Sequence, residues 1–258
     1  MHGIRPKKFL GQHFLRDQDI ARKIVESLSM DNPVVFEVGP GTGVLTRFLI
    51  QQPIEKLILV EIDRDSNEYL KTHFKKSNIQ LIESDFLKLK LGDYSDGNIS
   101  IIGNFPYHIS SQIFFKILEN AAQVEEVVCM VQKEVADRIC APSGNKTYGI
   151  LSVLLGAWYE TKALLKVPPE VFEPPPKVQS AVMSLKRRAK APEIHDEVLF
   201  KKIVKQGFQN RRKTLRNALK PIFLPTELTS TDLFDKRAEQ LSVHDFIQLA
   251  NTVYGWKK

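Results

Sequence analysis

The chain has 258 residues, 43% of them hydrophobic, enough for a sizeable core in one large or two modest domains. No apolar run approaches the roughly 18 residues of a membrane span, and the basic start, residues 1–8, has no apolar stretch behind it, which argues against a secretory signal. The formal net charge of +7 favours a polyanionic partner, and the two cysteines, Cys129 and Cys140, lack metal or redox spacing and read as reduced thiols of a cytoplasmic protein.

Residues 5–16 mix basic and aromatic groups with a glycine and read as a loop. Asp17 or Asp19 caps the helix that follows, whose apolar positions Ile20, Ile24, Val25 and Leu28 share one face, and Asp31-Asn32-Pro33 ends it. Residues 34–38 form a buried strand that runs into Gly39-Pro40-Gly41-Thr42-Gly43 and then into a helix carrying Leu45, Phe48 and Leu49. Strand, glycine turn and helix make the first unit of a Rossmann-like sheet, in which the backbone approaches a ligand closely. Residues 56–60 are a second strand ending in Glu61, which stands 22 residues after Gly39 and fits the acid that accepts hydrogen bonds from a ribose. A nicotinamide cofactor is disfavoured, because Val44 stands where the dinucleotide fingerprint wants Gly or Ala and Glu37 precedes the first glycine by two. That E-x-G-x-G-x-G form is the one used by S-adenosylmethionine-dependent methyltransferases.

Residues 79–82 are a third strand, followed by Asp85 and Phe86. Asp85 can accept from the amino group of an adenine, with Phe86 or Ile62 against its face. A solvated loop acid would explain Asp85 alone, but three successive strand ends carrying Gly39 and Gly41, Glu61 and Asp85 point to one site. The fourth strand ends in Asn104-Phe105-Pro106-Tyr107, where Pro106 stiffens the turn and an amide and a phenol flank it. A helix bearing Ile113, Phe114, Ile117 and Leu118 follows, then a fifth strand at 127–131, a charged helix at 132–140 and a loop at 141–146. Residues 148–159 read as helix then strand, and 160–166 and 178–185 as a strand pair. Between that pair, five prolines in residues 167–177 make a stiff segment that presents Phe172 in a fixed position.

Residues 186–198 read as a boundary, dividing a Rossmann-like domain (1–187) from a small all-helical one (188–258) with helices at 198–205, 212–219, 231–233 leading to 237–241, and 243–253. Ser242, three residues before Asp245, is the N-cap candidate of the last helix. Residues 201–220 hold eight Lys or Arg and no Asp or Glu, a concentration suited to a nucleic-acid backbone.

Several motifs in order carry a resemblance across nearly the whole chain. They are Lys8-Phe9-Leu10-Gly11-Gln12-His13-Phe14-Leu15, Glu37-Val38-Gly39-Pro40-Gly41-Thr42-Gly43, Asn104-Phe105-Pro106-Tyr107-His108-Ile109-Ser110, Gln132-Lys133-Glu134-Val135, Tyr148-Gly149-Ile150-Leu151-Ser152-Val153, Phe172-Glu173-Pro174-Pro175-Pro176-Lys177-Val178 and Phe208-Gln209-Asn210-Arg211-Arg212-Lys213-Thr214-Leu215-Arg216. The chain resembles the small-subunit ribosomal RNA adenine N6-dimethyltransferases of the KsgA type. His13 and His108 stand where the family usually has Asn, and Phe105 where it often has Leu.

The resemblance implies a class I methyltransferase sheet with a C-terminal helical domain, S-adenosyl-L-methionine as cofactor, and small-subunit rRNA or its precursor particle as partner, with no metal and no membrane, in a cytoplasmic monomer. It implies that Gln12, His13 and Leu15 cover the cofactor, Gly39 and Gly41 line it, Glu61 holds the ribose and Asp85 the adenine, and Asn104 lies near the methyl and the target amine. It places Tyr107 and Phe172 on either side of the target base, and Arg211, Arg212, Lys213 and Arg216 on RNA. Two rivals share the scaffold: a large-subunit rRNA adenine methyltransferase of the antibiotic-resistance type, and a non-catalytic nucleic-acid-binding assembly or transcription factor.

Overall fold

The structure is a computed structural model that describes residues 4–256; residues 1–3 of the basic start and residues 257–258 lie outside the described residues. The chain divides into two compact units, residues 1–136 with 162–187, and residues 137–161 with 188–258.

In chain order to residue 187 the elements are β1 (Phe14–Leu15), α1 (Gln18–Glu26), β2 (Val34–Val38), α2 (Thr46–Leu49), β3 (Lys56–Glu61), α3 (Arg64–His73), β4 (Ile79–Glu83), β5 (Ile99–Asn104), α4 (Ser110–Glu119), β6 (Val124–Gln132), α5 (Lys133–Ile139), α6 (Ile150–Trp158), β7 (Tyr159–Val167), β8 (Phe172–Glu173) and β9 (Ser180–Arg187); α6, the end of α5 and the start of β7 belong to the second unit and the rest to the first. The seven-stranded sheet has the order β4-β3-β2-β5-β6-β9-β7. Strands β4, β3, β2, β5 and β6 run parallel, and β9 runs antiparallel to β6. Every residue of β2 is buried, as expected of a parallel strand covered on both faces, and all but Glu37 are apolar. Ala21, Ile24 and Val25 of α1 are buried with Leu15, Val35, Leu57 and Phe172 in one core cluster.

Local chemistry sets the element ends. Asp17 caps α1, its side chain accepting from the backbone of Asp19 and Ile20 at 2.9 Å. The helix stops at Glu26, short of the expected Asp31-Asn32-Pro33, and the Ser27 hydroxyl turns back onto the Lys23 carbonyl. The loop expected over 5–16 contains a short 3-10 turn at Lys8–Leu10 and the two residues of β1, which pair with β8.

The second unit comprises α6, α7 (Glu197–Gln209), α8 (Leu215–Ala218), α9 (Thr226–Thr229) and α10 (Val243–Trp256). Its extent differs from a single boundary near 187, because α6 is apolar on nearly every face and packs with α7 and α10. Phe208 joins them, edge-on to Tyr148 and stacked on Phe246. The expected cap of the last helix is present: the Asp245 amide donates to the Ser242 hydroxyl, and the Ser242 amide and hydroxyl both donate to the Asp245 carboxylate. The helix expected at 212–219 shortens to α8, and 231–241 forms two 3-10 turns.

Gly43 has φ of +73°, and a Cβ there would lie 2.3 Å from the Phe74 ring. Gly43→Ala should therefore destabilise the fold by about 1–2 kcal/mol from the left-handed backbone alone, with the ring contact added. Urea unfolding checks this; an unchanged midpoint would remove the constraint.

Candidate active site

The sequence order runs outward from β2 to β3 and β4, then returns to β5 on the other side of β2. In such a sheet the carboxyl ends of the strands on either side of that reversal form a crevice. A cavity of about 300 Å³ lies there, lined by Gln12, His13, Gly39, Gly41, Glu61, Asp85, Asn104 and Tyr107 together with apolar Val38, Val60, Ile62, Phe86 and Leu87.

Glu61 ends β3 and is 4% exposed. Its Oε2 accepts from the Gly41 amide at 2.9 Å and its Oε1 from the Asp63 amide at 2.8 Å. Each carboxylate oxygen keeps a lone pair for a further donor, the arrangement a vicinal diol needs. Burial raises the Glu61 carboxyl above its ordinary range, and the backbone N–H groups of Asp63 and Gly41 oppose that rise. Gly41 adopts φ of +56°, and a Cβ there would meet the Phe14 ring at 2.9 Å, so only glycine brings its amide to Glu61. Asp85 Oδ1 accepts from the Leu87 amide at 3.0 Å, which leaves Oδ2 for an amino group.

On the other flank, Asn104 is the last residue of β5. Its Nδ2 donates to the main-chain oxygen of His13 at 2.9 Å. A carbonyl can only accept, so this contact fixes which way the amide points and leaves Oδ1 as the acceptor for a ligand. Tyr107 begins the short turn Tyr107–Ile109, its hydroxyl 2.5 Å from Ser180 Oγ. Burial pushes the phenol upward, so it stays neutral.

Two expected site residues are elsewhere. Phe172 is 3% exposed and packs in the core cluster with Leu15, not in the cavity lining. The β1–β8 ladder causes this: Leu15 pairs with Phe172 and Phe14 with Glu173, so the alternation turns Phe172 inward and leaves Glu173 to pair with Arg16 at 3.1 Å. Leu15 is also buried, and it lines a separate space of about 30 Å³ with Glu37, Gly39, Gly41 and Asn104.

The geometry also adds residues. Lys7 bonds Asp63 and lies 2.8 Å from Asp65, and its amide donates to Gln12 Oε1 at 2.8 Å, which ties the N-terminal segment to the start of α3. Burial opposes ionisation of Asp63, but hydrogen bonds from Lys7, Ser66 and Gln12 hold its carboxyl below the usual value. The signal for this cap was present as Asp63 three residues before Ser66. Ser180 had none, since its meeting with Tyr107 depends on strand register across 73 residues.

The profile of the ribosomal RNA adenine dimethylase family matches residues 3–254. The chain belongs to that family. It is 50% identical over 257 residues to the ribosomal RNA small subunit methyltransferase A of Cytophaga hutchinsonii, covering 99% of this chain and 100% of that one. A dimethyladenosine transferase from Plasmodium falciparum shares the fold at a TM-score of 0.80 and 24% identity, over 92% of this chain and 96% of that one. The 23S rRNA methyltransferase ErmE superposes at a TM-score of 0.67 and 25% identity, over 92% and 99%. The dimethylases are S-adenosylmethionine-dependent enzymes, and the donor set fits that cofactor: two free Glu61 lone pairs for a ribose, Asp85 Oδ2 for an adenine amine and apolar walls between them.

The basic residues proposed for RNA lie in the second unit. Arg211 Nε bonds Glu239 at 2.8 Å, and Arg216 lies 2.8 Å from Asp235. Arg212 and Lys213 are exposed and form no ion pair among the described residues. No helix among the described residues is long and apolar enough to cross a membrane.

Glu37 on β2 is 1% exposed and accepts from the Thr46 hydroxyl at 2.7 Å. Burial pushes its carboxyl from 4.5 up to about 8, the Thr46 bond opposing and Glu61 adding to the rise. The fold therefore holds this proton more tightly than the unfolded chain does. Its contribution to stability is complete below pH 4.5 and declines as pH rises toward about 8, by at most about 1.4 kcal/mol per pH unit. Glu37→Gln, which keeps an acceptor for Thr46, should flatten that decline in denaturant titrations of cofactor-free protein; parallel pH profiles for the two proteins would refute the assignment.

Proposed function

We propose that this dimethylase transfers methyl groups from S-adenosylmethionine to the N6 amines of two adjacent adenosines in a loop of small-subunit (16S) rRNA during assembly of that subunit, giving N6,N6-dimethyladenosine. The observation that carries the chemistry is the orientation of Asn104, whose Nδ2 is taken by the His13 carbonyl so that Oδ1 is left for an amine hydrogen. The small-subunit assignment is supported by the name of the relative that is 50% identical over the whole chain.

The cofactor, when bound, supplies a methyl group already activated by its sulfonium. The protein's task is then positioning. An exocyclic adenine amine is a weak nucleophile because its lone pair is shared with the ring. Asn104 Oδ1 accepts one of its hydrogens, favours a pyramidal nitrogen and stabilises the charge that develops on it. Tyr107 offers a ring face for the base, which reaches the site splayed from its strand. No strong base is required, because the product ammonium loses its proton to water. The once-methylated amine returns with its remaining hydrogen on the same oxygen.

Backbone contact falls to the second unit. Arg212 and Lys213 are free to meet phosphate, whereas Arg211 and Arg216 are engaged with Glu239 and Asp235. The likeness to ErmE keeps a large-subunit substrate as the competing reading.

Three outcomes are expected. Asn104→Ala should fold and lower methyl transfer to RNA by about 100-fold or more, in line with the loss of one charge-stabilising group; near wild-type turnover would refute the role. Arg212→Glu with Lys213→Glu should weaken RNA binding about tenfold and flatten its salt dependence while cofactor affinity holds; unchanged RNA affinity would count against the surface. With purified ribosomal subunits in parallel, label should enter the small one, and preferential labelling of the large one would overturn the substrate assignment.

A further inference from the structure

We infer that His13 is the positioning residue of the acceptor side, with its main chain setting Asn104 and its ring setting Tyr107. The inference rests on the roles proposed above for those two residues. By resemblance His13 covers the cofactor, and it lines the same cavity; its contacts also reach the acceptor groups.

The His13 carbonyl receives the Asn104 amide at 2.9 Å. The His13 ring stacks on the Tyr107 ring at a centroid distance of 5.5 Å and an interplanar angle of 25°. The ring itself is anchored, its Nδ1 lying 2.7 Å from the Pro174 carbonyl. That partner accepts only, so in the neutral ring Nδ1 carries the hydrogen. One residue thus links the amide that would hold the target nitrogen to the phenol that would hold the target ring.

Tyr107 is secured at two places, its hydroxyl by Ser180 and its face by His13. Without the imidazole that face loses its support, and the ring can tilt about the hydroxyl contact. The gap between the two rings is too small for a base, since a ring sandwiched between them would need centroids about 7 Å apart. The target adenine must therefore use the other face of Tyr107, with His13 as its backing. A small misplacement of a reacting group lowers rate more than binding. The ring of His13 should accordingly act on kcat for RNA, and its removal leaves the main-chain bond to Asn104 in place.

The test compares His13→Ala, His13→Phe and wild type, each also carrying Tyr107→Leu, with cofactor affinity measured separately by calorimetry. His13→Ala should lower kcat on RNA about tenfold with cofactor Kd unchanged, and His13→Phe, which restores a ring, should recover most of that loss. With Leu at position 107, removing the His13 ring should cost less than about twofold more, since the residue it backs is gone. A loss that appears in cofactor Kd, an unimpaired His13→Ala enzyme, or fully additive effects of the two changes would each overturn the inference. Full activity of Tyr107→Leu alone would instead remove the proposed role of Tyr107, which separates failure of that reading from failure of this one.

Discussion

The reversal of strand order at β2 is the constraint on which the site depends. Strand β3 lies on one side of β2 and β5 on the other, all parallel, so the loops after them open toward the same edge. Gly41 and Glu61 come from adjacent strand ends and meet where the Gly41 amide donates to the Glu61 carboxylate at 2.9 Å. Asn104 comes from the other side of the crevice and is reached by the N-terminal segment through His13. The groups proposed for the cofactor and those proposed for the acceptor therefore collect on opposite flanks of one cavity without any long loop to carry them.

That edge concentrates acids in an apolar setting. Glu37 and Glu61 are both buried, on neighbouring strands, and Glu61 adds to the cost of charging Glu37. The fold answers the two differently. Glu61 receives two backbone donors, which favour its ionised form and suit it to accept from a ligand. Glu37 receives one hydroxyl and holds its proton up to about pH 8. One acid keeps free lone pairs at the cavity, the role proposed for a ligand group; the other is a neutral strut that ties β2 to α2 through Thr46.

Much of this was legible in the sequence because it is local. Glycine spacing, the 22-residue step to Glu61 and the apolar runs gave the strands and their polar ends, all set by contacts within a few residues. The amphipathic faces of α1 and α4 were equally plain, with Ile24 and Val25, and Ile113, Phe114, Ile117 and Leu118, buried as their spacing implied. Helix α3 was not, since only Ser66, Asn67 and Leu70 of its ten residues are buried and its polar composition gives little periodicity. The extent of the helical unit was missed for a different reason. Helix α6 lies between two sheet strands in sequence, so its membership follows from tertiary packing, which no local pattern encodes.

The clearest correction concerns Phe172, expected opposite Tyr107 on the target base and found in the core. A proline-rich segment that fixes Phe172 was read correctly as stiff, but stiffness does not say which face a strand presents. The pairing of Leu15 with Phe172 decides that, and it turns Phe172 into the core. The same ladder continues one step further, to His13 and Pro174, where a side chain now bonds a carbonyl. A strand alternates its faces, so burying Leu15 leaves His13 on the same side of β1 as Leu15 while Phe14 points the other way. The His13 ring stacks on Tyr107, whereas Phe172 was expected on the far side of the base from Tyr107. One two-residue ladder thus turns Phe172 into the core and leads the chain on to His13, whose ring reaches Tyr107.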